Sequence, residues 1–134
     1  MDLNIRNIES ALDYRHGSAL LDAGCDDGNL TMRFAAAAGS THVSGIEVVE
    51  ERAYLAAERG VDVTAADLNE VLPYEDSTFD VVCSNQVIEH LSNTDNFVSE
   101  LYRVLRPGGY VVTSTENLAS WHNVFALMLG WQPF

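Results

Sequence analysis

The sequence contains no lysine and only two cysteines. Its arginines number seven against 20 aspartates and glutamates, which gives a formal net charge of −13. So acidic a surface repels phosphate backbones and anionic membranes, and it argues against nucleic acid as a partner. Cys25 and Cys83 are far apart and form no C-x-x-C motif, so they indicate neither a metal site nor a redox pair.

The sequence also lacks a long apolar run. The first eight residues mix polar and apolar types, unlike a signal peptide, and no later stretch is apolar for long enough to cross a bilayer. We therefore expect a cytoplasmic protein without a membrane partner. With 47% apolar residues, residues 1–134 are expected to form one folded domain. Two interpretations of the acidity stay open, ordinary solvation or adaptation to a salt-rich cytoplasm that screens self-repulsion.

Residues 20–30 are the stretch around which the chain is organised. An apolar run reaches Asp22, a turn bounded by Gly24 and Gly28 follows, and residues 30–38 have the pattern of a helix. This order predicts a strand, a tight loop and a helix. Glycines at both ends let the backbone approach a ligand closely, and the start of a helix offers unpaired N–H groups to polar atoms.

The rest of the chain alternates between strand and helix patterns. Helices are predicted at residues 5–15, 50–59, 94–105 and 118–129, a helical turn at 87–91, and further strands at 42–47, 61–65, 79–84 and 110–115. Because the strands are almost continuously apolar, we expect a mostly parallel sheet with helices on both faces, an α/β fold.

A polar side chain follows each of the first four strands. These residues are Asp22, Glu47, Asp67 and Asn85, and Glu47 lies about 20 residues after the glycine loop, where doubly wound folds place a carboxylate on ribose hydroxyls. The pattern predicts a nucleoside-type ligand at the carboxyl ends of the strands. Taken singly, Asp67 could instead cap a helix and Asn85 could form a turn.

Several motifs resemble those of the class I S-adenosylmethionine (SAM)-dependent methyltransferases of the small-molecule type. The loop Asp22-x-Gly24-x-x-x-Gly28 is similar to their motif I, with Asp26 in place of the middle glycine. Aspartate is among the residues that tolerate positive φ. LPYEDSTFDVV, NQVIEHL and LYRVLRPGGYVV resemble later segments of the family. The resemblance covers a core of residues 17–116 and implies a doubly wound, Rossmann-like sheet of order 3-2-1-4-5 that binds SAM.

The resemblance also implies roles in cofactor binding. Asp22 would orient the methionine amino group, and the loop with Gly24, Cys25 and Gly28 would pass beneath the amino-acid moiety. Glu47 would accept hydrogen bonds from both ribose hydroxyls.

The remaining candidates lie later in the chain. Asp67 would accept from the adenine amine and Leu68 would cover the ring, while Asn85 would lie near the methyl group and the acceptor. His90 is the candidate general base, since an imidazole takes up a proton near neutral pH, although it could simply pack on the helical turn. A metal-binding subgroup has Glu-x-x-Glu-His here, and Gln86 replaces its first glutamate, so we predict no metal site.

The chain stops where family members continue with two more strands. We expect either a truncated form or a protein completed by a second copy or a partner subunit through the apolar helix predicted at 118–129. Three functions stay open: a methyltransferase acting on a small-molecule acceptor, a non-catalytic SAM-binding module, and another Rossmann protein such as an NAD enzyme. The glycine spacing disfavours the last, because the loop does not spell G-x-G-x-x-G.

Overall fold

A computed structural model of the chain describes residues 3–115. The helix predicted at 118–129 lies outside the described residues. The elements, in chain order, are α1 (Leu3–Ala11), β1 (Ser18–Ala23), α2 (Asn29–Ala38), β2 (Ser40–Ile46), α3 (Glu50–Glu58), β3 (Asp62–Thr64), β4 (Phe79–Asn85), a 3-10 turn (Ile88–His90), α4 (Thr94–Val104) and β5 (Leu105–Ser114).

The five strands form one parallel sheet in the order β3-β2-β1-β4-β5, as predicted. The central strand β1 pairs with β2 on one side and β4 on the other. A strand in that position is covered on both faces, which is why its sequence is apolar at consecutive positions. The carboxyl ends of the strands therefore meet at one edge, where β1 leads into the glycine loop.

Consecutive residues of the central strands supply two separate cores. Leu20 packs with Ile8 of α1 and Phe34 of α2 on one face. Leu21 packs with Phe97 of α4 on the other face, and both leucines are completely buried. The sheet is thus covered by helices on both sides, which confirms the predicted α/β fold.

The connector between β3 and β4 contains no helix and is held by α4. Asn69 accepts hydrogen bonds from the backbone N–H groups of Ser92 and Asn93 at the start of α4, at 2.8 and 3.0 Å. Glu100 accepts from the backbone N–H of Leu72 at 2.8 Å and binds Arg103, whose guanidinium holds the pKa of that carboxyl below its ordinary value. These contacts fix the segment that follows β3, with Asp67 and Leu68.

The bounds of two elements differ from the prediction by more than the others. Helix α1 ends at Ala11 rather than residue 15, because the backbone N–H of Arg15 donates to Ala38 at the end of α2. Strand β5 begins at Leu105 rather than residue 110: Leu105 pairs with Phe79, the register then shifts, and regular pairing resumes at Tyr110. Arg106 precedes a proline, which disfavours helical backbone at that point.

Candidate functional site

The glycine loop after β1 requires its two glycines. Gly24 and Gly28 have φ of 93° and 79°, backbone angles that residues with a side chain rarely adopt. A Cβ at Gly28 would lie 2.8 Å from Cα of Ala56, and one at Gly24 would lie 2.6 Å from Cγ2 of Val87. Asp26 also has positive φ, 47°, as the sequence predicted for the residue at the family's middle glycine.

Glu47 follows β2 and is fixed from two directions. One carboxylate oxygen accepts from the backbone N–H of Asp26 in the glycine loop at 3.1 Å. The other accepts from the backbone N–H of Val49 at 2.8 Å. Each carboxylate oxygen can accept a second hydrogen bond, so both remain able to bind a diol.

An apolar cavity of about 300 Å³ opens beside Glu47. Its walls are mostly aliphatic, with the carboxylates of Glu47 and Asp67 among them. The lining residues are Gly24, Ile46, Glu47, Val48, Ala66, Asp67, Leu68, Gln86, Val87, His90 and Leu91. The structure thus brings Glu47, Asp67 and Leu68 together, and the cavity can take a flat heterocycle with polar groups at its edge.

An acidic cavity of about 170 Å³ adjoins it, with Gly24 lining both. Its lining residues are Asp22, Gly24, Cys25, Asp26, Asp27, Leu30, Phe34 and Asn85. Arg52 lies 3.3 Å from Asp26 and Arg59 lies 3.6 Å from Asp27, so two of the three acids are paired with arginines. Asp22, the third acid, lies at the end of β1.

Asp22 is buried, with 3% of its surface exposed. Oδ2 accepts a hydrogen bond of 2.6 Å from the hydroxyl of Thr31 in α2, whereas Oδ1 has no partner among the described residues. Burial raises the pKa of this carboxyl to about 7, although the bond from Thr31 works in the opposite direction. An unpartnered buried oxygen is costly, and a ligand ammonium group would supply the missing donor.

Asp67 and Cys25 have local roles as well. Oδ1 of Asp67 accepts from the backbone N–H and the side-chain amide of Asn69, which forms a turn, and no helix begins there. Cys25 is buried against Ala56 and Val61. Burial raises the pKa of its thiol to about 12, so Cys25 stays protonated and acts as a wall of the acidic cavity.

The two residues predicted to act in catalysis line different cavities. Asn85 lines the acidic cavity, whereas His90 is exposed and lines the apolar one. Between them, Gln86 has a φ of 58° and turns the chain at the end of β4. The predicted catalytic roles of both residues stay predictions.

Three residues of the site were not found from the sequence. Thr31 binds Asp22, Asn4 binds Asn85, and Ser114 binds Asn85. Only Thr31 had a signal in the sequence, because its hydroxyl lies in the otherwise apolar face of α2. Among residues 3–115, no group of His, Cys, Asp or Glu is arranged to hold a metal, and no helix is long and apolar enough to cross a membrane.

Comparisons with known proteins identify the family. The family model described as a methyltransferase domain matches residues 21–113. Malonyl-acyl-carrier protein O-methyltransferase of Erwinia billingiae is 35% identical over 127 residues, 94% of this chain and 49% of that protein. The 27-O-demethylrifamycin SV methyltransferase of Amycolatopsis mediterranei is 35% identical over 110 residues, 76% of this chain and 40% of that protein.

A solved structure has the same fold. The S-adenosylmethionine dependent methyltransferase from Mesorhizobium loti is 25% identical, with a TM-score of 0.75, and the match covers 84% of this chain and 53% of that one. The chain therefore spans about half or less of the length of the two curated relatives.

Proposed function

The chain belongs to the class I SAM-dependent methyltransferases, and on that premise we propose that it transfers a methyl group from SAM to a small-molecule acceptor. The observation that carries the proposal is the pair of cavities that meet at Gly24. One is apolar with carboxylates at its edge, and the other ends at the unpartnered oxygen of Asp22. Together they match a ligand with a nucleoside at one end and an ammonium group at the other.

The residues present fit SAM on observations of this structure. Gly24 offers a surface without a Cβ between the two cavities, and Asp22 offers a buried acceptor for the ammonium group. Glu47 would hold the ribose hydroxyls, and Asp67 and Leu68 would bind the adenine. Gly28 and Cys25 would support the loop beneath the amino-acid moiety.

When bound, SAM supplies a methyl group on a positively charged sulfur. The contribution of the protein is then mainly to hold the acceptor atom in line with the methyl carbon, since positioning alone lowers such a barrier greatly. By the family resemblance, Asn85 at the end of β4 would lie near the methyl group and the acceptor. His90, exposed at the rim of the apolar cavity, is the proposed general base for acceptors that must lose a proton.

Two independent observations bear on the acceptor. The names of the two curated relatives describe methylation of malonyl-acyl-carrier protein and of 27-O-demethylrifamycin SV. The formal charge of −13 repels polyanions such as nucleic acid. We therefore propose an oxygen acceptor on a carboxylate or hydroxyl compound.

The proposal is tested by turnover with SAM and a panel of carboxylic acids, phenols and aliphatic alcohols. We expect S-adenosylhomocysteine (SAH) to accumulate with at least one of them, and mass spectrometry to find one added methyl group on that compound. A Glu47→Ala variant is the background control. Tight SAM binding without turnover on any acceptor class would contradict an enzyme and favour a SAM-binding module that needs a partner.

A further inference from the structure

The side-chain amide of Asn85, which lines the acidic cavity, is held by residues of two elements, α1 and β5. Its Oδ1 accepts a hydrogen bond of 2.9 Å from Nδ2 of Asn4 in α1. It accepts a second bond of 2.6 Å from the hydroxyl of Ser114, the residue paired with Asn85 in β5. Nδ2 of Asn4 also lies 3.4 Å from the Ser114 hydroxyl, so the three side chains form one connected group.

These contacts determine which end of the amide is available. An amide oxygen has two lone pairs, and both are occupied by Asn4 and Ser114. No residue in the described part of the chain accepts from Nδ2 of Asn85. Rotating the amide of Asn85 by half a turn while Asn4 keeps its orientation would put its Nδ2 against Nδ2 of Asn4, two donors 2.9 Å apart. The polar atom left for a ligand is therefore a donor.

A donor has a specific use in the acidic cavity. The other side chains that line it are three carboxylates, a thiol and two apolar groups. The amino-acid end of SAM carries an ammonium and a carboxylate, and the unpartnered Oδ1 of Asp22 suits the first. The carboxylate needs N–H donors, and among the lining side chains Asn85 alone has an amide to provide them.

We propose that Asn85 donates from Nδ2 to the α-carboxylate of SAM, and that Asn4 and Ser114 are the positioning residues that keep its amide in this orientation. This inference rests on the proposed function and adds to it. Helix α1 would then contribute to cofactor selection, because the hydrogen bond from Asn4 orients the amide of Asn85 so that its N–H donor faces the cavity. The cavity then distinguishes SAM from analogues without the carboxylate.

The test is a pair of calorimetric titrations, with SAM and with decarboxylated SAM, which lacks only the α-carboxylate. For Asn85→Ala we expect SAM to bind about tenfold more weakly or worse, since a hydrogen bond to a charged group is lost. Decarboxylated SAM should keep its affinity within about twofold. Asn85→Asp should weaken SAM binding further, because two carboxylates would face each other.

The positioning role is tested separately with Asn4→Asp, which keeps the shape of the side chain but offers an acceptor to Asn85. The amide of Asn85 should rotate, and SAM alone should lose affinity, whereas Asn4→Gln should restore part of it. Ser114→Ala should show a smaller loss of the same kind. Ser10→Ala is the matched control, because Ser10 bonds only to the backbone of α1 and lies away from the cavity.

The outcomes separate the two proposals. Equal losses for SAM and decarboxylated SAM in the Asn4 and Asn85 variants, or no loss in any variant, would overturn the inference while SAM binding stands. A folded wild-type protein that binds neither compound would overturn the proposed function, and the inference with it. Unfolding temperatures measured for every variant identify those that fail to fold, and Ser114→Ala then carries the comparison.

Discussion

Replacing Glu47 by glutamine is expected to weaken SAH binding by about 100-fold. A carboxylate with a free lone pair on each oxygen accepts both ribose hydroxyls, and each charge-assisted bond contributes roughly 1.5–3 kcal/mol. The glutamine replaces one of these acceptors with a donor and removes the charge. It also leaves either the Asp26 or the Val49 backbone N–H without its acceptor, so the loop beside the ribose is disturbed as well.

The measurement is a calorimetric titration with SAH and with 5′-methylthioadenosine, which keeps the ribose but lacks the amino-acid end. Both should lose affinity in Glu47→Gln by about the same factor, in contrast to the variants of Asn85. Glu51→Gln is the matched control, because it removes the same charge at an exposed position in the first turn of α3. Unchanged affinity in Glu47→Gln would show that the ribose binds elsewhere.

The second large effect concerns protons, and it follows from the burial of Asp22. Burial raises the pKa of this carboxyl to about 7, so the free protein is partly protonated there at neutral pH. A ligand ammonium at Oδ1 requires the ionised form, and binding must release the proton. As the pH is raised towards 7, SAH affinity should therefore increase by about tenfold per pH unit. Above pH 7 the affinity should no longer change with pH.

Calorimetry in two buffers of different ionisation enthalpy measures the proton directly. At pH 6 we expect about one proton released per SAH bound, and none in Asp22→Asn, which should also bind more weakly. The same variant should change stability. The pKa of Asp22 in the folded protein lies above the ordinary value of 3.8, so its ionised form destabilises the free protein. This destabilisation is absent below pH 3.8, grows as the pH rises, and is complete above pH 7.

On that linkage, the free energy of unfolding of the wild-type protein should fall by up to about 4 kcal/mol from this one group between pH 4 and pH 7. Asp22→Asn should lack this fall, so it should be the more stable protein at pH 8 and the weaker binder. If affinity and stability have the same pH dependence in both proteins, Asp22 does not meet the ammonium group.

The parts of the fold that sequence predicted depend on neighbours along the chain. The glycine loop, the positive φ of Asp26 and the first turn of α2 follow from a few consecutive residues, so their patterns are visible in the sequence. The order of the strands followed from the family resemblance, and their parallel direction from the almost continuous apolar character of each strand. The sequence pattern predicted no helix between β3 and β4, and the structure has none there.

The parts that were not predicted depend on contacts between distant residues. Asn4 and Asn85 are 81 positions apart, and nothing near either of them indicates that α1 reaches the end of β4. The contact between Thr31 and Asp22 likewise appears only when α2 packs against the sheet. Asn85 was predicted near the methyl group and His90 as a general base, and the sequence did not show that the positive φ of Gln86 leads them to different cavities.

The central claim is that the ends of the strands bind SAM rather than another nucleotide. A calorimetric titration of the wild-type protein with SAH, repeated in the presence of NAD⁺, tests it most directly. We predict one SAH bound per chain and no competition from NAD⁺, because the loop has glycine at position 28 and asparagine at position 29. A folded protein that binds no SAH, or from which NAD⁺ displaces SAH, would contradict the account.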